Sequence, residues 1–149
     1  MSTPEPSLNT QVIGQAESAL GAILDPLLER AKMTFSQWLV LVITSASGGS
    51  VSRDQLVRRI TTARKVPDSD VLGAVDHLVL AGAAEVLPGA AATVRLTPAG
   101  QERLRQVRGQ VDEITSRLFD FPAGDLATAG RVLTIVTERA NAEIARARS

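Results

Sequence analysis

The run over residues 75–100, VDHLVLAGAAEVLPGAAATVRLTPAG, constrains the fold more than any other part of the chain. Leading into it, Val71, Ala74, Val75, Leu78 and Val79 recur at helical spacing, and Gly82 follows where a left-handed helix cap belongs. Two short runs of β-branched and small residues come next, 83–87 and 92–96, separated by the turn-favouring pair Pro88 and Gly89. Thr97 is a suitable N-cap, and Pro98 fits the first helical position, where its missing N–H costs nothing. The segment therefore predicts a helix end, a hairpin and a new helix with no loop between hairpin and helix.

Upstream, Thr34-Phe-Ser-Gln37 and Ser52-Arg-Asp-Gln55 both have the capping-box pattern, in which a hydroxyl and an amide satisfy two orphan backbone donors at a helix start. Two more short helices are expected there. The order helix, helix, helix, hairpin, helix closely resembles the MarR family of bacterial transcriptional regulators. The likeness covers nearly the whole chain and is carried by Met33-Thr-Phe-Ser-Gln-Trp-Leu-Val-Leu41, Val75-Asp-His-Leu-Val-Leu-Ala-Gly82 and Val94-Arg-Leu-Thr-Pro-Ala-Gly100. It implies a mainly α fold with a small β-hairpin wing (α+β). The expected layout is a disordered tail over 1–7, an N-terminal dimerisation helix over 8–31, a winged helix-turn-helix over 32–98 and C-terminal dimerisation helices over 99–149. It also implies a homodimer that binds double-stranded DNA and a small lipophilic or aromatic effector.

At 149 residues and 44% hydrophobic, the chain is long enough for one domain with a real core and short for two. No apolar run approaches the roughly 20 residues that span a bilayer, and residues 1–8 lack the basic and apolar regions of a signal peptide, so a cytoplasmic protein without membrane contact is expected. With no cysteine and one histidine, a disulfide framework, a thiolate or histidine-cluster metal site and a thiol redox switch are excluded. No cofactor is implied.

The formal net charge is zero, yet its distribution is uneven. Residues 52–66 hold Arg53, Arg58, Arg59, Arg64 and Lys65 against Asp54 alone, whereas 67–96 hold Asp68, Asp70, Asp76 and Glu85 against Arg95 alone. The first helix of a helix-turn-helix crosses the DNA backbone, so the cationic segment is read as phosphate-contacting; the alternative is a solvated helix face.

The helix over 68–81 corresponds to the recognition helix of the resemblance. With Val71, Val75 and Leu78 inward, the 100° step turns Asp70, Gly73, His77 and Leu80 outward, flanked by Ser69 and Asp76. That face has no Arg, Lys, Asn or Gln, the side chains that make bidentate contacts to guanine and adenine. Leu72 and Gly73 stand where the resemblance leads to Ser or Thr and Arg, and the wing tip has no cation where the family carries an Asp-x-Arg motif. The candidate DNA-binding residues are Arg53, Arg58, Arg59, Arg64, Lys65, Ser69, Gly73, His77 and, further along the wing, Arg95.

Ile13, Ala16, Leu20, Ile23, Leu24, Leu27, Leu28 and Ala31 form an apolar stripe at steps of three and four, interrupted by Pro26, which is expected to kink or divide the helix. Leu104, Val107, Val111, Ile114, Leu118 and Phe121 have heptad spacing, and Leu126, Ala129, Leu133, Val136, Ala140 and Ile144 repeat it after a break at Pro122. A small three-helix core cannot bury them all. Either they pack on one another within a subunit or, the favoured reading, they interlock in a two-fold dimer.

By the resemblance, an effector would lie between the winged lobe and the dimer helices, with Leu24, Leu28, Phe35, Trp38, Leu39 and Phe119 as linings, each equally suited to the core. His77 lacks an orienting partner, because its neighbour Asp76 cannot face it in a regular helix, and reads as a surface histidine rather than a base. Gly48-Gly49-Ser50 reads as a link into the next helix, and no phosphate loop or nucleophile motif occurs, so no catalytic residue is expected. The competing function is a MarR-fold dimer without sequence-specific DNA binding, acting as a small-molecule binder, an enzyme or a protein-interaction module.

Overall fold

The computed structural model describes residues 5–89 and 91–149. Its described elements are α1 (Thr10–Arg30), α2 (Phe35–Ala46), β1 (Ser50–Ser52), α3 (Arg53–Arg64), α4 (Asp68–Leu80), β2 (Ala84–Leu87), β3 (Thr93–Leu96), α5 (Pro98–Leu118) and α6 (Ala123–Ala147). The expected tail over 1–7 falls partly outside the described residues, and 5–7 precede α1 without regular structure. No described helix is long and apolar enough to cross a membrane. The chain divides into two compact units, one through Val111 and one over Asp112–Ser149.

In the first unit, local chemistry sets each boundary. At α2 the full capping box forms, with Gln37 N–H donating to Thr34 Oγ1 and Thr34 N–H to Gln37 Oε1, both at 3.1 Å. At α3 only the hydroxyl half is present, from Gln55 N–H to Ser52 Oγ at 3.2 Å. The end of α4 is a Schellman cap: Gly82 takes φ +75°, Gly82 N–H reaches Val79 O at 3.0 Å and Ala83 N–H reaches Leu78 O at 2.9 Å. Thr97 then joins wing to helix, donating to Gly82 O at 2.6 Å and accepting from Gly100 N–H at 3.1 Å.

The hairpin is part of a three-stranded antiparallel sheet, order β1-β3-β2, with Val51 opposite Val94 and Val86 opposite Val94 on the other side. The strand β1 replaces what reads in sequence as a plain link. Gly48 and Gly49, at φ +87° and +98°, turn the chain from α2 into an extended path that pairs with β3. The core of the unit gathers Val40, Leu41, Leu56, Ile60, Val71, Val75, Leu78 and Val94, all essentially inaccessible. Each contributes about 1.5–3 kcal/mol by leaving water. Leu104 and Val107 of α5 are buried with them, and Arg103 donates to Ala31 O at 2.9 Å, tying α5 to the end of α1.

Two expectations are corrected here. Of the kink or division expected at Pro26, the division does not occur: α1 runs unbroken from Thr10 to Arg30, since the ring removes one i→i−4 hydrogen bond and the helix continues on both sides. Val79 is not part of the inward face of α4: it is exposed, while Val71, Ala74, Val75 and Leu78 are buried.

The second unit holds the last turns of α5 and all of α6. No residue of α6 is buried, and its apolar repeat lies open, with Leu126, Leu133 and Val136 all exposed. The heptad stripe of α5 loses its cover along its length: Leu104 and Val107 are buried, Val111 and Ile114 half-buried, Leu118 exposed. On α1 only Leu27 and Leu28 are buried.

Candidate nucleic-acid interface

The helix pair α3 and α4 is joined by Lys65-Val66-Pro67. Lys65 takes the left-handed conformation at φ 56°, its N–H closing on Thr61 O, and Pro67 then leads into α4 without a side-chain cap. The free N–H groups of that uncapped start carry partial positive charge, so Asp68 and Asp70 in the first turn are favourable for helix stability. Part of the acidity of α4 thus has a local structural cause.

The cations around α3 do not form a uniform set. Arg53 and Arg58 are exposed and make no ion pair or side-chain hydrogen bond among the described residues. Arg59 donates to Ser47 Oγ at 3.2 Å, fastening α3 to the end of α2. Arg64 lies over the Phe35 ring, 4.4 Å from its centroid, and 3.8 Å from Glu17. Lys65 turns back onto Thr62 O. On the wing, Arg95 faces Glu85 across the β2–β3 ladder and bonds it through Nε at 2.7 Å, so that its charge is met within the sheet. The unengaged positive charge of this region is therefore concentrated in Arg53 and Arg58.

Ser69, Gly73 and His77 are exposed on α4, as the wheel predicts. A feature that periodicity does not reveal lies beside them. The outer flank of α4 and the segment joining α1 to α2 bound an open groove of about 740 Å³, whose walls include Glu29, Lys32, Ser36, Asp70 and His77, with buried Met33 among them. Lys32 is an exposed cation on this rim with φ 56°. Its position next to α4 comes from packing between distant segments, and no local spacing signals it.

The residues expected to line an effector pocket are distributed differently. Leu28 and Trp38 are buried in the core, and Leu24, Phe35 and Leu39 are partly buried against it. Phe119, in the second unit, is half exposed. None of the six forms a wall of the 740 Å³ groove or of the 270 Å³ depression beside Ser45, Leu104 and Arg108.

No protein-family model matches the chain, and no curated protein matches it. Solved structures do. NadR in complex with 4-hydroxyphenylacetate is similar over 92% of this chain and 98% of its own, at 18% identity and a TM-score of 0.72. Sco5413, a MarR family transcriptional regulator from Streptomyces coelicolor, is similar over 88% and 91%, at 19% identity and a TM-score of 0.71. A mutant of MarR from E. coli complexed with operator DNA is similar over 85% and 91%, at 21% identity and a TM-score of 0.68. The likeness runs nearly end to end on both sides, and the chain has the winged helix-turn-helix fold of the MarR regulators.

Proposed function

We propose that this protein is a homodimeric DNA-binding transcriptional regulator whose affinity for DNA responds to a small lipophilic or aromatic ligand. The observation that carries this reading is the disposition of α3 and α4: Arg53 and Arg58 are exposed and unengaged on the first helix of the motif, and the second presents a free outer face. In such a motif the first helix crosses the backbone and the second enters the major groove. Arg53 and Arg58 supply the phosphate contacts, with Arg59, Arg64 and Lys65 adding to the local positive field. Ser69, Gly73 and His77 approach the bases, and Arg95 has a lesser role because Glu85 holds it.

Dimerisation is supported by the open apolar repeat of α6, since exposed stripes of this extent mark interaction surfaces. A two-fold dimer matches palindromic half-sites. Responsiveness to a ligand is supported by the fold shared with NadR, solved with 4-hydroxyphenylacetate. Leu24, Phe35 and Leu39 offer partly exposed apolar surface for such a molecule, Leu28 and Trp38 stand in the core with which they pack, and Phe119 is a further exposed candidate. The role is one of binding rather than catalysis, and the protein acts in the cytoplasm.

A second reading is favoured by one specific observation. The outer face of α4 carries Asp70, Asp76 and a Leu80 that is 87% exposed, with no Arg, Lys, Asn or Gln, as suits a dimer that no longer reads sequence and binds small molecules or another protein. Binding to a pool of random duplex DNA over a salt series, with sequencing of the retained fraction, separates the two. An enriched palindromic site with a steep salt slope is expected, and weak unselective binding at low salt alone would overturn the regulator in favour of the second reading.

A further inference from the structure

The burial pattern of α4 fixes which side chains look away from the protein. Val71, Ala74, Val75 and Leu78 are buried, so the opposite side, at 100° per residue, is centred on Ser69, Gly73 and Asp76, with Leu72 on one flank. Asp70 and His77 lie on the other flank and line the groove beside the α1–α2 segment. Leu80 stands at the far C-terminal end, away from the turns that reach base edges.

This centre is built of small or short side chains. A Cβ added at Gly73 would meet nothing within 4 Å, so the surface there is open backbone. With Ser69 one turn before it, the helix can lie closer to a base-pair edge than one carrying long side chains. That matters for Asp76, whose short carboxylate reaches a base only from a deep position. The Asp76 side chain is exposed and makes no ion pair or hydrogen bond among the described residues. Leu72 is 38% exposed on the same outer side.

Resting on the regulator reading above, we infer that α4 reads pyrimidines, with Asp76 accepting from the N4 amino group of a cytosine and Leu72 packing on the C5 methyl of a thymine. Both contacts follow from the major-groove pattern: a carboxylate can only accept, cytosine offers a donor there, and the thymine methyl is the apolar feature. The two residues are one helical turn apart, about 6 Å along the axis, so the two bases lie within about two base-pair steps in each half-site. The purine-reading contacts made by Arg, Asn or Gln are absent from this face because it has none of those residues.

The test is selection from a random duplex pool with the full chain and with Asp76→Asn, followed by affinity measurements on the enriched site with thymine replaced by uracil. The wild-type site is expected to hold a thymine and a cytosine within two steps. Asp76→Asn is expected to exchange that cytosine for adenine, because an amide pairs with adenine where a carboxylate cannot. Removing the thymine methyl is expected to weaken binding roughly threefold to tenfold, a difference that Leu72→Ala abolishes. A site unchanged in Asp76→Asn, or equal affinity for thymine and uracil, overturns the inference and leaves the regulator standing. A pool with no enriched sequence overturns both.

Discussion

Gly100, in the first turn of α5, lies directly on the carbonyl of Ala83: a Cβ built at Gly100 would stand 1.9 Å from Ala83 O and 2.9 Å from its carbonyl carbon. The same carbonyl accepts from Thr97 N–H at 3.1 Å. The residue that leads into β2 and the start of α5 are thus in backbone contact, at a distance that leaves no room for a side chain at position 100.

Gly100→Ala is accordingly expected to cost about 3 kcal/mol, since the obstacle is main chain and cannot rotate away. Gly109→Ala, on the same helix with nothing within 4 Å of the new Cβ, is expected to gain about 0.5–1 kcal/mol by lowering the entropy of the unfolded chain. Urea unfolding of the two variants checks this, and equal stabilities would show that the contact at Gly100 relaxes freely.

Thr44 is fully buried in α2, and its Oγ1 has no hydrogen-bond partner. A buried hydroxyl without a partner carries a desolvation penalty. Thr44→Val keeps the shape, removes the polar atom and is expected to stabilise the protein by about 1 kcal/mol, read as a rise in thermal midpoint. A fall instead would mean that the hydroxyl is solvated internally.

The arginines differ in what already holds them, and this sets their contribution to DNA binding. Arg58→Ala is expected to lower the slope of log affinity against log salt by about 1, without changing the preferred sequence. Arg95→Ala, whose guanidinium is engaged by Glu85, is expected to leave the slope nearly unchanged. Fluorescence anisotropy at several salt concentrations measures both slopes; the reverse order would place the wing, rather than α3, on the backbone.

Leu133 and Val136 sit one turn apart on α6, at 39% and 41% exposure. If this stripe is the dimer seam, Leu133→Glu together with Val136→Glu places charges in it and is expected to raise the dimer dissociation constant by about 100-fold or more. Sedimentation over a concentration series reads the change. An unaltered dimer would move the seam elsewhere, with the exposed end of the α5 stripe as the next place to probe.

The sequence by itself determined what depends on neighbours along the chain. Period and caps set α2, α4 and α5: Thr34 with Gln37, Gly82 after Leu80, and Thr97 before Pro98 each act within a few residues, where steric and hydrogen-bond rules are local. The apolar repeat of α6 was legible for the same reason, as was the lack of base-reading cations on α4. What only the tertiary structure decided depends on contacts between distant segments. The third strand at Ser50–Ser52 exists because β3 offers it an edge. How far round α4 the cover reaches is decided by its neighbours as well: Val75 is buried, while Val79, one turn on, is exposed. Arg59, Arg64 and Arg95 were alike as charges in the sequence but are engaged by Ser47, by Phe35 with Glu17, and by Glu85. A periodic pattern states which face of a helix must be covered; which atoms cover it, and which charges remain free, is settled only when remote segments pack.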